Sequence, residues 1–182
     1  MSSSQARADR RQQAARFNID PEVIPLLMDD LSSHDGLVRL HAREQLVSLG
    51  REAVDPLIEA IGDHRGQVRW EAAKALAEIG HPAAAGALVK ALEDERAGVR
   101  WVAARGLTAL KREGLKPLLR ALMERSDSVW LRQGAHYVLR CLAEQGFHEV
   151  VAPVLAALEG RQPTLEVPQA AFAALQSLKA AA

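Results

Sequence analysis

The sequence predicts an all-α fold, a right-handed α-solenoid (α-α superhelix) of about five stacked antiparallel helix pairs, and three observations carry that expectation. The same four apolar positions recur five times at spacings of 4, 4 and 3: Val38, Ala42, Leu46, Leu49; Val68, Ala72, Leu76, Ile79; Val99, Ala103, Leu107, Leu110; Leu131, Ala135, Leu139, Leu142; and Val167, Ala171, Leu175, Leu178. Successive sets begin 30, 31, 32 and 36 residues apart, a period at which each repeat must bury its apolar face on its neighbours. The composition agrees: hydrophobic residues make up 48% but aromatics only 4%, and the alanine and leucine content suits closely packed helices better than a sheet.

A second stripe lies between these sets at i, i+3, i+4, i+7: Ile24, Leu27, Met28, Leu31; Val54, Leu57, Ile58, Ile61; Ala85, Leu88, Val89, Leu92; Leu115, Leu118, Leu119, Leu122; and Val151, Val154, Leu155, Leu158. Each repeat is therefore a first helix followed by a second. Gly50, Gly80 with Pro82, and the stretch Arg112 to Gly114 mark the short turns inside the first three pairs. Pro56, Pro117 and Pro153 hold one equivalent place in the second helices, expected in the first turn, where a missing N–H costs little. Alanine at the second position of every first-helix set lets neighbouring helices approach closely.

The ends are less regular. Residues 1–19 are polar and expected to form a partly helical cap, with residues 20–182 as a single repeat domain. The turn from Leu142 to Val151 is long and carries Gly146, Phe147 and His148, and Gly160 and Pro163 precede Val167. The final stretch has little charge to cap a last repeat, so its outer face is expected to meet another molecule or a second copy of the chain.

Lys plus Arg equals Asp plus Glu at 23 each, so no net field draws the chain to nucleic acid or an anionic membrane. The neutral total hides a polarity: residues 21–62 carry 3 basic and 8 acidic groups, and residues 63–125 carry 12 basic and 8 acidic. On the second helices the solvent row changes sign, from Asp29, Asp55 and Glu59 to Lys90, Lys116 and Arg120. These six form a candidate charge-segregated, concave binding groove. Trp70 and Trp101 occupy equivalent first-helix positions, with Trp130 close by, and are expected either to stack between repeats or to stand exposed as partner anchors. Arg96, Arg100, Arg105, Lys111, Arg112, Lys116, Arg120 and Arg125 crowd the middle, but on several faces, which argues against a duplex backbone as ligand.

No apolar run reaches membrane-spanning length, the first residues lack a signal-peptide core, and a cytoplasmic location is expected. The single cysteine, Cys141, reads as a small hydrophobe. No G-x-S-x-G, P-loop, Rossmann glycine pattern or paired-cysteine zinc spacing occurs, so no catalytic residue, cofactor or metal is expected. His34, His64, Glu95 and Asp127 sit in matching turns, but neighbouring repeats stand about 8–10 Å apart, too far for residues that must each lie about 2 Å from one ion.

The stretches VRLHAREQL (38–46), VRWEAAKALAEIG (68–80) and VRWVAARGL (99–107) resemble the HEAT-like repeats named after phycobilisome lyases, as found in short bacterial HEAT-repeat proteins, whose hallmark is Val-Arg, then Ala, then Leu. Leu131-Arg132 is a fair fourth copy and Val167-Pro168 a weak fifth. The resemblance implies a scaffold or adaptor with a protein or peptide partner. An accessory subunit of a chromophore lyase is the alternative, and nucleic-acid-backbone binding through the basic middle repeats a further one. It also implies that Arg39, Arg69, Arg100 and Arg132 bond an acidic group or carbonyl in a nearby turn, such as at Asp63 or Asp94, forming a structural ladder between units. The chain is similar, too, to repeat enzymes of the deoxyhypusine hydroxylase type, which carry iron-binding His-Glu pairs after the Val-Arg. Here those places hold Leu40-His41, Trp70-Glu71, Trp101-Val102 and Gln133-Gly134, so that set is absent.

Overall fold

A computed structural model describes residues 23–180, in two compact units that divide between Ala84 and Ala85. The cap expected over residues 1–19 lies outside the described residues.

Unit 1 contains α1 (Ile24–Asp30), α2 (Gly36–Leu49), a 3-10 turn (Gly50–Ala53), α3 (Val54–Ala60), α4 (Gly66–Ile79) and a second 3-10 turn (Pro82–Ala84). Each first helix starts where a short polar side chain can satisfy free backbone N–H groups. Asp35 accepts from the Leu37 N–H at 2.8 Å before α2, and Asp63 Oδ1 accepts from the Arg65 N–H at 2.7 Å before α4. Gly50 at φ 66° and Gly80 at φ 64° end these helices in backbone conformations that a Cβ opposes. The apolar stripes then fix the packing: α2 lies against α1 and α4, and α3 lies against α4. Ala42, Leu46, Leu57, Val68, Ala72 and Leu76 are all buried, each large one contributing about 1.5–3 kcal/mol relative to exposure. Val38 departs from the expected stripe. It is 36% exposed where Val68, Val99, Leu131 and Val167 are buried, and Leu37 and Leu40 beside it are exposed too.

Unit 2 contains α5 (Ala85–Ala91), α6 (Ala97–Leu110), α7 (Arg112–Glu124), α8 (Val129–Leu142), a five-residue π turn (Ala143–Phe147), α9 (His148–Glu159) and α10 (Pro163–Ala180). α6 packs on α5, α7 and α8, while α7 packs on α5, giving two layers of helices. The turn between α6 and α7 differs from the expected one. Lys111, at φ 51°, makes the stop, and Gly114 lies inside α7, where a Cβ would come within 2.5 Å of the Leu107 carbonyl oxygen. Its role is close approach, not termination. Helices α7 and α9 also begin earlier than expected, so Pro117 and Pro153 sit inside helices rather than in first turns.

The last helix departs furthest from a regular array. First helices pack on one another in order, α4 on α2 and α8 on α6, but α10 takes α7 and α9 as its main neighbours. Its stripe is the expected one, with Val167, Ala171, Leu175 and Leu178 buried. The π turn, with Gly146 at φ 96°, and the longer 36-residue spacing give the chain room to redirect α10. Ser126 Oγ donates to the Thr164 carbonyl at 2.9 Å, and the Arg112 guanidinium donates to the Leu178 carbonyl, fastening both ends of α10.

Candidate functional site

The hallmark arginines reach backward along their own chain. Arg39 Nη1 donates to the carbonyls of Ser33 and His34 at 2.7 and 3.1 Å, Arg69 Nη1 to those of Asp63 and His64 at 2.9 and 3.1 Å, and Arg100 Nη1 to those of Asp94 and Glu95 at 2.7 and 3.0 Å. Arg132 Nη1 donates to the Ser126 carbonyl at 2.5 Å. The partners are thus carbonyls five and six residues upstream, so each arginine closes the turn that precedes its own helix. Asp63 contributes a carboxylate as well. The Arg65 guanidinium spans it, with Nε 3.0 Å from Oδ1 and Nη2 2.8 Å from Oδ2, and holds its carboxyl down at about 2.

Among the charged second-helix residues of unit 1, Asp29, Asp55 and Glu59 are all exposed. In unit 2, Lys90 and Arg120 are exposed and Lys116 is half-buried. Beyond Arg120, α7 packs against α10 rather than chiefly against the next second helix, α9.

The tryptophans divide. Trp70, in unit 1, is half-buried, with Lys74 Nζ 4.4 Å from its ring centroid. Trp101, on α6, is 56% exposed, with the Arg105 guanidinium 4.9 Å from its centroid. Trp130, at the start of α8, is 43% exposed, and Arg100 of α6 stacks over it at 4.7 Å. Tyr137 on α8 is 44% exposed. The Cys141 thiol one turn on raises its phenol above the ordinary tyrosine range, a rise that the Arg105 charge opposes.

Sequence reasoning missed a buried charge cluster in unit 1. Glu71 is 4% exposed and receives Arg43 Nε at 3.2 Å, Arg39 Nε at 3.4 Å and Gln67 Nε2 at 3.3 Å. Arg43 Nη1 continues to Glu78 Oε1. A signal existed: the places equivalent to Arg43 hold Ala73 and Ala104, and that equivalent to Glu71 in the next repeat holds Val102. Arg43 where the next two repeats have alanine, and Glu71 where the next repeat has valine, put opposite charges in adjacent repeats and mark a pair. The cluster holds α2 to α4 and leaves no buried side-chain polar atom unpartnered, so it is structural.

His34, His64, Glu95 and Asp127 are exposed, and among the described residues no three histidine, cysteine or acidic side chains converge as a metal site. A cleft of about 490 Å³ opens in unit 2, lined by Arg132, Gln133, His136, Glu159 and Pro163 among others. His136 Nε2 lies 2.8 Å from Glu159 Oε1 across it. No described helix is long and apolar enough to cross a membrane.

No curated protein matches the chain. Two crystal structures of engineered proteins are similar to it: one at 20% identity, covering 99% of this chain and 92% of the other with a TM-score of 0.42, and one at 19% identity, covering 98% and 94%, also with a TM-score of 0.42. A family model for HEAT repeats matches residues 24–103 and 54–140, most of the paired helices described above. With its paired helices and this match together, the chain belongs to the HEAT-repeat family.

Proposed function

We propose that the protein is a non-catalytic interaction scaffold whose second helices receive charged segments of a protein partner. Asp29, Asp55 and Glu59 of unit 1 take basic segments, and Lys90, Lys116 and Arg120 of unit 2 take acidic ones. HEAT repeats generally serve as protein-interaction scaffolds, and one observation carries the reading further. Most of the repeated apolar positions are consumed in packing, while the exposed charges of the unit 1 second helices, Asp29, Asp30, Asp55 and Glu59, are all acidic, and in unit 2 the basic set Lys90, Lys116 and Arg120 is interspersed with Glu113 and Glu124. Like charges held on a rigid helix layer steer association and fix register more than they add affinity. Arg39, Arg69, Arg100 and Arg132 keep the turns in place and act on partners only through that.

Affinity capture from the native host with mass identification, repeated with a Lys90→Glu, Lys116→Glu, Arg120→Glu variant and with an Asp29→Lys, Asp55→Lys, Glu59→Lys variant, tests this. A partner recovered by the wild type and weakened at low salt by either reversal is the expected result. Undiminished recovery by both variants overturns the reading.

A further inference from the structure

The outer face of the first helices in unit 2 has a chemistry that packing does not require. Helices α6 and α8 lie side by side, and over residues 97–110 and 129–142 they contain no carboxylate at all, but four arginines: Arg100, Arg105, Arg132 and Arg140. Trp101, Trp130 and Tyr137 stand largely exposed on the same pair of helices. Acidic groups near these helices lie in the turns that precede them, at Asp94, Glu95 and Asp127, and at Glu159, which pairs with His136 of α8, while Glu93 is paired with Arg125.

The arginines and rings are ordered relative to one another. Arg105 stacks on Trp101 along α6, and Arg100 reaches from α6 onto Trp130 of α8. The Arg105 guanidinium is held over the Trp101 ring at 4.9 Å from its centroid, and a guanidinium's N–H groups are the ones that grip a carboxylate in a two-point contact. Rigid aromatic and arginine side chains are also the types that dominate binding energy at protein interfaces. The Arg105–Trp101 pair, with Trp130 under Arg100 and the exposed Tyr137 on the same pair of helices, forms a preorganised anchor surface, while Arg100 Nη1 is itself committed to the Asp94 and Glu95 carbonyls.

We propose that the α6–α8 face of unit 2 docks an acidic peptide segment bearing aromatic or large apolar anchors. Carboxylates of the segment meet Arg105 and Arg140, and its apolar side chains lie on Trp101, Trp130 and Tyr137. This inference rests on the scaffold reading but places a binding surface on the first helices rather than the second. A single-stranded nucleic acid fits the face less well. Base stacking needs open indole faces, and the guanidiniums already cover one side of both Trp101 and Trp130.

The chain contains three tryptophans, and Trp70 lies in the other unit, so the indole N–H resonances of the full chain supply a built-in reference. The probe is a synthetic dodecapeptide of Glu-Glu-Phe repeats, alongside Lys-Lys-Phe and Glu-Glu-Ser counterparts and an oligothymidine. On titration with the Glu-Glu-Phe peptide, the Trp101 and Trp130 signals shift while Trp70 stays still. Arg105→Glu, Arg140→Glu and Trp101→Ala, each checked for an unchanged helical signal, weaken binding by about tenfold or more. Lys116→Glu with Arg120→Glu leaves it nearly unchanged, and the two counterpart peptides bind weakly. Absence of indole shifts overturns the inference, as does stronger binding of oligothymidine. Loss of binding in the Lys116 and Arg120 variant, with none in Arg105→Glu, moves the site to the second helices and also overturns it. In that case the scaffold reading stands, since that reading falls only on the capture result above.

Discussion

Arg43 Nε on α2 lies 3.2 Å from Glu71 Oε2 on α4, and both residues are buried. Arg39 and Gln67 complete the coordination of the Glu71 carboxylate, and Glu78 accepts from the far end of Arg43. Two charges taken out of water gain little over an apolar pair, yet removing one partner strands the other. Glu71→Ala should therefore destabilise unit 1 by about 3–5 kcal/mol. Replacing the pair together, Arg43→Met with Glu71→Leu, should recover most of that loss. Urea denaturation of the three chains measures the difference, and equal losses for the single and double variants would contradict this account.

Ala72 on α4 and Ala103 on α6 are both fully buried at the second position of the repeated stripe. The closeness of neighbouring helices leaves no space there for a branched side chain. Ala72→Leu and Ala103→Leu should each cost roughly 1–3 kcal/mol by overpacking. A thermal melt that shows no loss for either would mean the helix register is wrong at that position.

Two glycines separate a hard contact from a soft one. A Cβ on Gly114 would lie 2.5 Å from the Leu107 carbonyl oxygen, so the α6 and α7 backbones themselves would have to part. A Cβ on Gly134 would lie 2.9 Å from Leu92 Cδ2, the end of a side chain that can turn aside. Gly114→Ala should destabilise by about 1–3 kcal/mol, and Gly134→Ala by clearly less. The reverse order in chemical denaturation would place the tighter helix crossing elsewhere.

The stripes at 4-4-3 spacing made the helices and their buried sides legible, and Val68, Ala103, Leu139 and Val167 are buried as the spacing requires. Periodicity states which face of a helix is covered but not by what. That is why α10 has the expected stripe yet rests on α7 and α9, a choice made by the π turn at Gly146 and by tertiary contacts. Likewise the repeat puts Trp70 and Trp101 at equivalent positions, each under a cation one turn on, Lys74 and Arg105, yet Trp70 is half-buried and Trp101 exposed, a difference that periodicity does not state. Glu71 was readable in principle as a charge flanking the apolar stripe, next to Ala72, with Arg43 next to Ala42 supplying the opposite sign in the neighbouring repeat. For the hallmark arginines the sequence suggests partners in nearby turns and a ladder between units, and only coordinates show that carbonyls five and six residues upstream, in the turn before each arginine's own helix, receive them.

Asp63 gives the chain a pH dependence of known sign. Its carboxyl is lowered from 3.8 to about 2, first by the Arg65 side-chain hydrogen bonds and then by the Arg65 backbone N–H and charge, with burial opposing. A group depressed in the folded state contributes stability above its unfolded value and loses it as pH falls through the folded one. Wild type should therefore exceed Asp63→Asn in stability by a constant margin above about pH 5, and that margin should shrink as pH falls through 3.8 toward about 2. Urea midpoints of the two proteins across that range measure it. A margin that stays constant down to pH 2 would show that the carboxylate charge contributes nothing to the turn before α4.

Lys111 and Gly50 occupy matching turns, between α6 and α7 and after α2, and share one backbone conformation: φ 51°, ψ −123° for Lys111 and φ 66°, ψ −116° for Gly50. This is the first central position of a type II′ turn, where glycine is favoured because a Cβ crowds the backbone. At Gly50 an added Cβ would meet no neighbouring atom within 4 Å, so Gly50→Ala isolates the backbone strain alone and should destabilise by about 1–3 kcal/mol. Lys111 already carries that strain. Lys111→Gly should relieve it, offset by the greater freedom glycine has in the unfolded chain, for a net gain of about 1 kcal/mol and a rise in Tm of about 2–4 °C. Lys111→Ala keeps the Cβ and should give no comparable gain, which separates strain from removal of a charge. Should Lys111→Ala stabilise as much as Lys111→Gly, the lysine charge, and not its backbone, would be the source of the cost.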